Sequence, residues 1–118
     1  MRSRCIFRTF NCKGITTMVD PIKIRRETMR WDIILALYNA RPVGAYEELV
    51  LATVQGMFPD ASALELRREL DYLGDRELVN LRKEPSGRWF ADLTRHGVDL
   101  AEYTVDCDPG IGRPAKYW

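Results

Sequence analysis

Residues 62–78, SALELRRELDYLGDREL, and residues 79–93, VNLRKEPSGRWFADL, decide how the chain is read. In the first run Leu66, Leu70 and Leu73 recur at helical spacing, helped by Leu64 and Tyr72. Glu65, Arg67, Arg68, Glu69 and Asp71 fall on the outer face. Ser62, with Glu65 three residues on, forms a capping box that starts the helix. In the second run Val79 and Leu81 alternate with Asn80 and Arg82, and Trp89, Ala91 and Leu93 alternate with Phe90 and Asp92. Pro85-Ser86-Gly87 supplies the turn between them, flanked by Arg82, Lys83 and Arg88. A helix running directly into a two-stranded ribbon is the predicted unit.

Helices are expected on both sides of it. Upstream, Asp20-Pro21 starts a first helix, since Asp caps exposed amides and proline at the first helical position sacrifices no hydrogen bond. Trp31, Ile34, Leu35 and Tyr38 give it a buried face that Ile33 and Leu37 widen, and Asn39 to Pro42 stops it. Arg41-Pro42-Val43-Gly44 is the place for a brief first strand. A second helix runs from about Ala45 to Gln55, with Glu47 and Glu48 in its first turn and a stripe of Tyr46, Leu49, Val50, Thr53, Val54 and Met57. Gly56 suits the left-handed residue that ends it, and Pro59-Asp60 breaks the link to the next helix. Downstream, Thr94 caps a final helix from Arg95 to about Tyr103, where Val98, Leu100 and Ala101 close the core. The expected fold class is α+β, mainly α, with the layout of a winged helix-turn-helix domain: three helices, a two-stranded wing and a C-terminal helix. It occupies residues 20–104, between a leader (1–19) and an irregular tail (105–118).

At 118 residues the chain is one domain's worth, and 46% hydrophobic residues suffice for a core. No apolar run approaches the roughly 18 to 20 residues of a membrane span, and Cys5-Ile6-Phe7 is no signal-peptide apolar region. Cys5, Cys12 and Cys107 with a single histidine, His96, fit neither a disulfide framework nor a zinc site, so a reducing, cytoplasmic setting is the default. Net charge is +1, but residues 1–30 carry +6 and residues 31–118 carry −5, so the folded part is acidic and the basic excess is in the leader. Three readings of that leader compete: a basic arm that touches phosphates, a targeting peptide, or an upstream extension ahead of a natural start at Met18. The third is favoured, because Met18-Val-Asp-Pro opens directly onto a helix start.

Catalytic chemistry is thin. His96 in a helix start reads as a surface or capping residue, and Glu47-Glu48, Asp106 and Asp108 lie where solvated or helix-capping carboxylates lie. Gly110-Ile111-Gly112 has no strand before it and is not a nucleotide loop. No enzyme, cofactor or metal site is expected. Trp31, Tyr72, Trp89 and Phe90 read as core rather than base-stacking rings, although one of Trp89 and Phe90 must face away from the domain.

The run LRRELDYLGDRELVNLRKEPSGRWFADLTRHG (66–97) resembles winged-helix transcriptional regulators of the ArsR and PadR kind, in which Leu-Val follows the helix, then a hairpin, then Leu-Thr-x-x-Gly. Leu93-Thr94-Arg95-His96-Gly97 matches that last element. Gly87-Arg88-Trp89, Leu93-Thr94 to Ala101-Glu102, Pro109-Gly110-Ile111 and Arg113-Pro114 together are similar to small winged-helix proteins carried in Mu-like prophages. The resemblance spans roughly residues 20–114. Such families often place glycine just before Leu-Val; here Glu77 takes that place and Gly74 sits earlier. The cysteine or histidine clusters of metal-sensing members are missing.

The fold and the resemblance together imply a phage or prophage-type regulator that binds double-stranded DNA as a homodimer. Arg67 and Arg68 would reach base edges or phosphates, and Arg82, Lys83 and Arg88 would be phosphate contacts. The competing reading is a protein-interaction module, for phage assembly or as a host-factor adaptor. In it Glu65–Arg68 and Arg67–Asp71 are intrahelical pairs on a solvated face, and Glu65, Glu69 and Asp71 repel phosphates.

Overall fold

The computed structural model describes residues 20–107 and 109–116. The leader, with Cys5, Cys12 and Met18, lies outside the described residues, as do Asp108 and the terminal Tyr117-Trp118. In chain order the elements are α1 (Pro21–Asn39), β1 (Ala45–Tyr46), α2 (Glu47–Gln55), α3 (Ala63–Asp75), β2 (Val79–Lys83), β3 (Trp89–Leu93) and α4 (Arg95–Ala101).

α1 starts as its sequence requires: the Asp20 carboxylate accepts from the Ile22 N–H at 3.1 Å, and Pro21 follows. Its buried row is centred on Met29, Ile33, Ile34 and Leu37, each fully enclosed, while Leu35 and Tyr38 are only partly buried. The helix packs on α2, α3, α4 and β3 at once, which is why its apolar face is wider than one stripe. Trp31 meets Tyr103 edge-on at 6.1 Å.

The segment 41–44 is a turn, not a strand. The first strand is Ala45–Tyr46, which pairs antiparallel with β3 in the register Ala45↔Ala91 and Tyr46↔Phe90. At Gly44 (φ +85°) a Cβ would lie 2.8 Å from the Ala91 carbonyl oxygen, so only glycine lets the two strands close. The pairing consumes the first two residues expected of the second helix, and α2 begins at Glu47 with no side-chain cap. Only Val50 and Val54 of its expected stripe are buried, whereas Leu49 and Met57 stand 60% and 62% exposed. Gly56 is right-handed (φ −63°), so α2 ends without a left-handed residue.

α3 buries Leu66, Leu70 and Leu73 as expected, but Leu64 is 65% exposed. The Ser62 hydroxyl accepts from the Glu65 N–H at 3.2 Å. The Glu65 side chain turns instead to Arg25 of α1, so the capping box is formed on one side only. The helix ends in a Schellman motif: the Leu78 N–H bonds the Leu73 carbonyl and the Glu77 N–H bonds the Gly74 carbonyl, both at 3.0 Å. Its left-handed residue is Glu77, at φ +61°. Glu77→Gly is therefore expected to stabilise the protein by about 1 kcal/mol in urea unfolding, since glycine adopts this backbone without steric cost. An unchanged or lowered midpoint would show that the turn carries no strain.

β2 and β3 form the wing, in the register Val79↔Leu93, Leu81↔Ala91 and Lys83↔Trp89, with β3 central between β1 and β2. Glu84 N–H to Arg88 C=O and Gly87 N–H to Glu84 C=O, both 2.9 Å, close the tip. α4 is capped by Thr94, whose hydroxyl accepts from the Gly97 N–H at 3.1 Å, and it ends at Ala101, two residues short of the expected Tyr103. Val98 and Leu100 complete the core. The irregular tail returns over α1: Gly112 N–H bonds the Glu27 carbonyl at 2.9 Å, Ile111 is buried, and Arg113 donates to the carbonyls of Leu100 and Val105.

Candidate nucleic-acid interface

α3 lies between two flanks. One faces the wing and the start of α2; the other faces α1. Leu64, Arg68, Asp71 and Asp75 point outward between them, exposed.

On the wing flank lie four of the five cations picked out by sequence, Arg67, Arg82, Lys83 and Arg88, and each is paired there with a carboxylate. Arg67 donates to both oxygens of Glu47 at 2.7 and 2.6 Å and to the Gly87 carbonyl at 2.8 Å, with its guanidinium 5.0 Å above the Trp89 ring. Glu47 also accepts from the Trp89 N–H at 3.0 Å and is nearly buried. Arg67, aided by that N–H, therefore holds the Glu47 carboxyl below the usual glutamate range, against the opposing effect of burial. Arg88 grips Glu48 through two hydrogen bonds of 2.9 and 3.1 Å and covers the Tyr46 ring at 3.8 Å. Lys83 reaches Asp71 of α3 at 3.3 Å, and Arg82 reaches Glu84 at 3.3 Å. Arg68 alone of the five makes no hydrogen bond or ion pair with another described residue, although its charge helps lower the Glu65 carboxyl. Neither Trp89 nor Phe90 is left bare: Lys83 and Arg67 cover the first, Tyr46 and Arg82 the second.

On the α1 flank the carboxylates expected on the solvated face of α3 are engaged across the fold. Glu65 takes a two-pronged bond from Arg25 (2.8 and 3.0 Å), and Glu69, buried, takes one from Arg30 at 2.7 Å. The intrahelical pairs Glu65–Arg68 and Arg67–Asp71 do not form; every one of these partners is tertiary. The Tyr72 ring is stacked under Arg30 at 3.6 Å and near Arg76 at 5.0 Å. Lys23 and Arg26 extend this flank along α1, and neither pairs with another described residue. They are missing from the set of cations predicted from sequence. Part of the basic excess assigned to the leader thus belongs to α1, in Lys23, Arg25, Arg26 and Arg30.

Among the described residues no group of three or more His, Cys, Asp or Glu side chains could hold a metal, and no helix is long and apolar enough to cross a membrane.

This arrangement of helices, sheet and ribbon matches known structures. The fold is a winged helix-turn-helix. MepR, a transcription regulator of the Staphylococcus aureus multidrug efflux pump MepA, superposes with a TM-score of 0.53 at 17% identity, over 64% of this chain and 52% of that one. A candidate DNA-binding protein from Ralstonia eutropha JMP134 gives 0.55 at 22% identity, over 75% of this chain and 100% of that one. The winged helix thus spans about half the length of the MepR chain. No family model and no curated protein matches the sequence.

Proposed function

We propose that the chain is a cytoplasmic, non-enzymatic winged-helix regulator, of the kind carried by prophages, that binds double-stranded DNA as a homodimer with α3 in the major groove. The observation that carries this reading is the exposed outer face of α3, where Arg68 makes no hydrogen bond or ion pair with another described residue. The fold shared with a transcription regulator and a candidate DNA-binding protein supports it. The prophage setting rests on the resemblance of Gly87-Arg88-Trp89, Leu93-Thr94 and Arg113-Pro114. Arg67 serves the fold first, because its fork is filled by Glu47 and Gly87; Arg68 is the helix's available base or phosphate contact.

A labelled duplex titrated at low ionic strength tests the reading. Affinity is expected to fall steeply with salt, and Arg68→Ala to weaken it by about tenfold, the equivalent of roughly 1.4 kcal/mol. No retention of any duplex by the full chain at low salt would end it. A second reading, a protein-interaction module, is favoured by one observation: carboxylates compensate Arg67, Arg82, Lys83 and Arg88, the four of the five expected DNA contacts that lie beside the wing. It predicts that Arg68→Ala leaves nucleic-acid behaviour unchanged.

A further inference from the structure

The two flanks of α3 differ in compensation, and that asymmetry points to where a phosphate backbone would lie. On the α1 side an open groove of about 390 Å³ runs between α1 and the Pro109-Gly110 segment, with Lys23, Arg26 and Arg30 on one wall and Tyr72 on the other. A second hollow of about 240 Å³ shares Arg26, Arg30 and Tyr72 with it and adds Arg68. The two carboxylates in the walls are Glu27 and Glu69, and Glu69 is already bound to Arg30. Lys23 and Arg26, three residues apart, share a face of α1 and, like Arg68, make no ion pair with another described residue.

We propose that this groove, rather than the wing, holds the sugar-phosphate backbone of duplex DNA, through Lys23, Arg26 and Arg68. The proposal rests on the DNA-binding reading and names the surface that supplies its electrostatic part. A phosphate entering on the wing side must displace Glu47, Glu48, Asp71 or Glu84 from its cation and then remain beside the displaced carboxylate. On the α1 side Lys23, Arg26 and Arg68 make no ion pair with another described residue, so a phosphate reaching them displaces no described carboxylate. The groove is open along one side, which suits a polymer passing through; small-molecule pockets enclose most of their ligand. Arg68 belongs both to the adjoining hollow, which shares Arg26, Arg30 and Tyr72 with the groove, and to the outer face of α3, so a strand lying here is continuous with the helix expected in the major groove.

The test is the salt dependence of binding to a labelled mixed-sequence duplex. Lys23→Ala/Arg26→Ala is expected to reduce the slope of log K against log salt by about 2, near 0.9 for each lost phosphate contact. Arg82→Ala/Lys83→Ala in the wing is expected to change it by less than half as much, and Arg95→Ala, at an exposed residue of α4, serves as a charge control. Lys23→Arg/Arg26→Lys keeps both charges and is expected to retain the wild-type slope. A groove variant with the wild-type slope overturns the proposal and leaves DNA binding standing. The same follows if the wing pair carries the larger change, or if the charge-conserving swap also loses slope. Failure of the wild-type chain to bind duplex at low salt ends the functional reading itself and the groove proposal with it.

Discussion

Gly97→Ala is expected to destabilise the protein by about 3 kcal/mol, the upper range for forcing atoms into a packed site. Helix propensity alone predicts the opposite sign, a gain of up to about 1 kcal/mol for alanine over glycine inside a helix. Sterics decide the contest. A Cβ at residue 97 would lie 2.3 Å from the Leu78 carbonyl oxygen and 2.8 Å from a Leu93 methyl. The flexible leucine could yield, but the carbonyl belongs to backbone that also accepts the Thr94 N–H at 3.1 Å, next to the turn where Thr94 Oγ1 donates to the Glu77 carbonyl. Relief requires moving α4 away from the exit of α3. Urea unfolding measures the effect, and a midpoint equal to or above wild type would refute it.

Glu47→Ala should cost about 2 kcal/mol at neutral pH. The change leaves the Trp89 N–H without its acceptor and Arg67 without its pair. Breaking a buried pair costs more, but Arg67 is about one-third exposed and can be rehydrated, which lowers the figure. The pH dependence has a definite sign. Glu47 titrates below its ordinary 4.5 in the folded protein, because Arg67 and then the Trp89 N–H favour the carboxylate. Its contribution is therefore complete above the unfolded value and is lost as pH falls through the lowered folded value. Glu65, lowered by Arg25, acts in the same direction. The wild-type melting temperature should drop on acidification below about 4.5, and Glu47→Gln should make that drop shallower. Parallel pH profiles for the two proteins would rule out Glu47 as a source.

Elements whose signals are local were legible in the sequence. The Asp20-Pro21 start, the leucine row of α3, the alternation of the wing and the Thr94 cap each depend on residues a few positions apart, and all formed as read. The motif Leu-Thr-x-x-Gly could be recognised as a pattern, but its reason, a carbonyl pressed against the site of the missing side chain, needs residue 78. The substitution of Glu77 for glycine was visible; that the chain would keep the left-handed geometry regardless was not. Failures were long-range. Glu65 and Glu69 looked solvated because their partners, Arg25 and Arg30, lie about forty positions away. Ala45-Tyr46 looked helical because the strand it pairs with is likewise distant in sequence. The same limit governs the interface. Residue type marked Arg67, Arg68, Arg82, Lys83 and Arg88 as cations, but only packing reveals which are already spent. Lys23 and Arg26, which the groove proposal adds, carry charge that composition counts with the leader, although the dense IKIRRETMR at the start of α1 places part of that charge on a helix.

The bond from Arg67 to the Gly87 carbonyl, with Glu47 bracing both sides, welds the tip of the wing to the middle of α3. Helix and ribbon are thereby held at one angle by a single side-chain network. For the proposed regulator such preorganisation would lower the entropy lost on binding and favour partners whose contour already fits. Loosening it at Glu47 would trade that selectivity for adaptability, a change to be read in which partners are tolerated rather than in how tightly one is held.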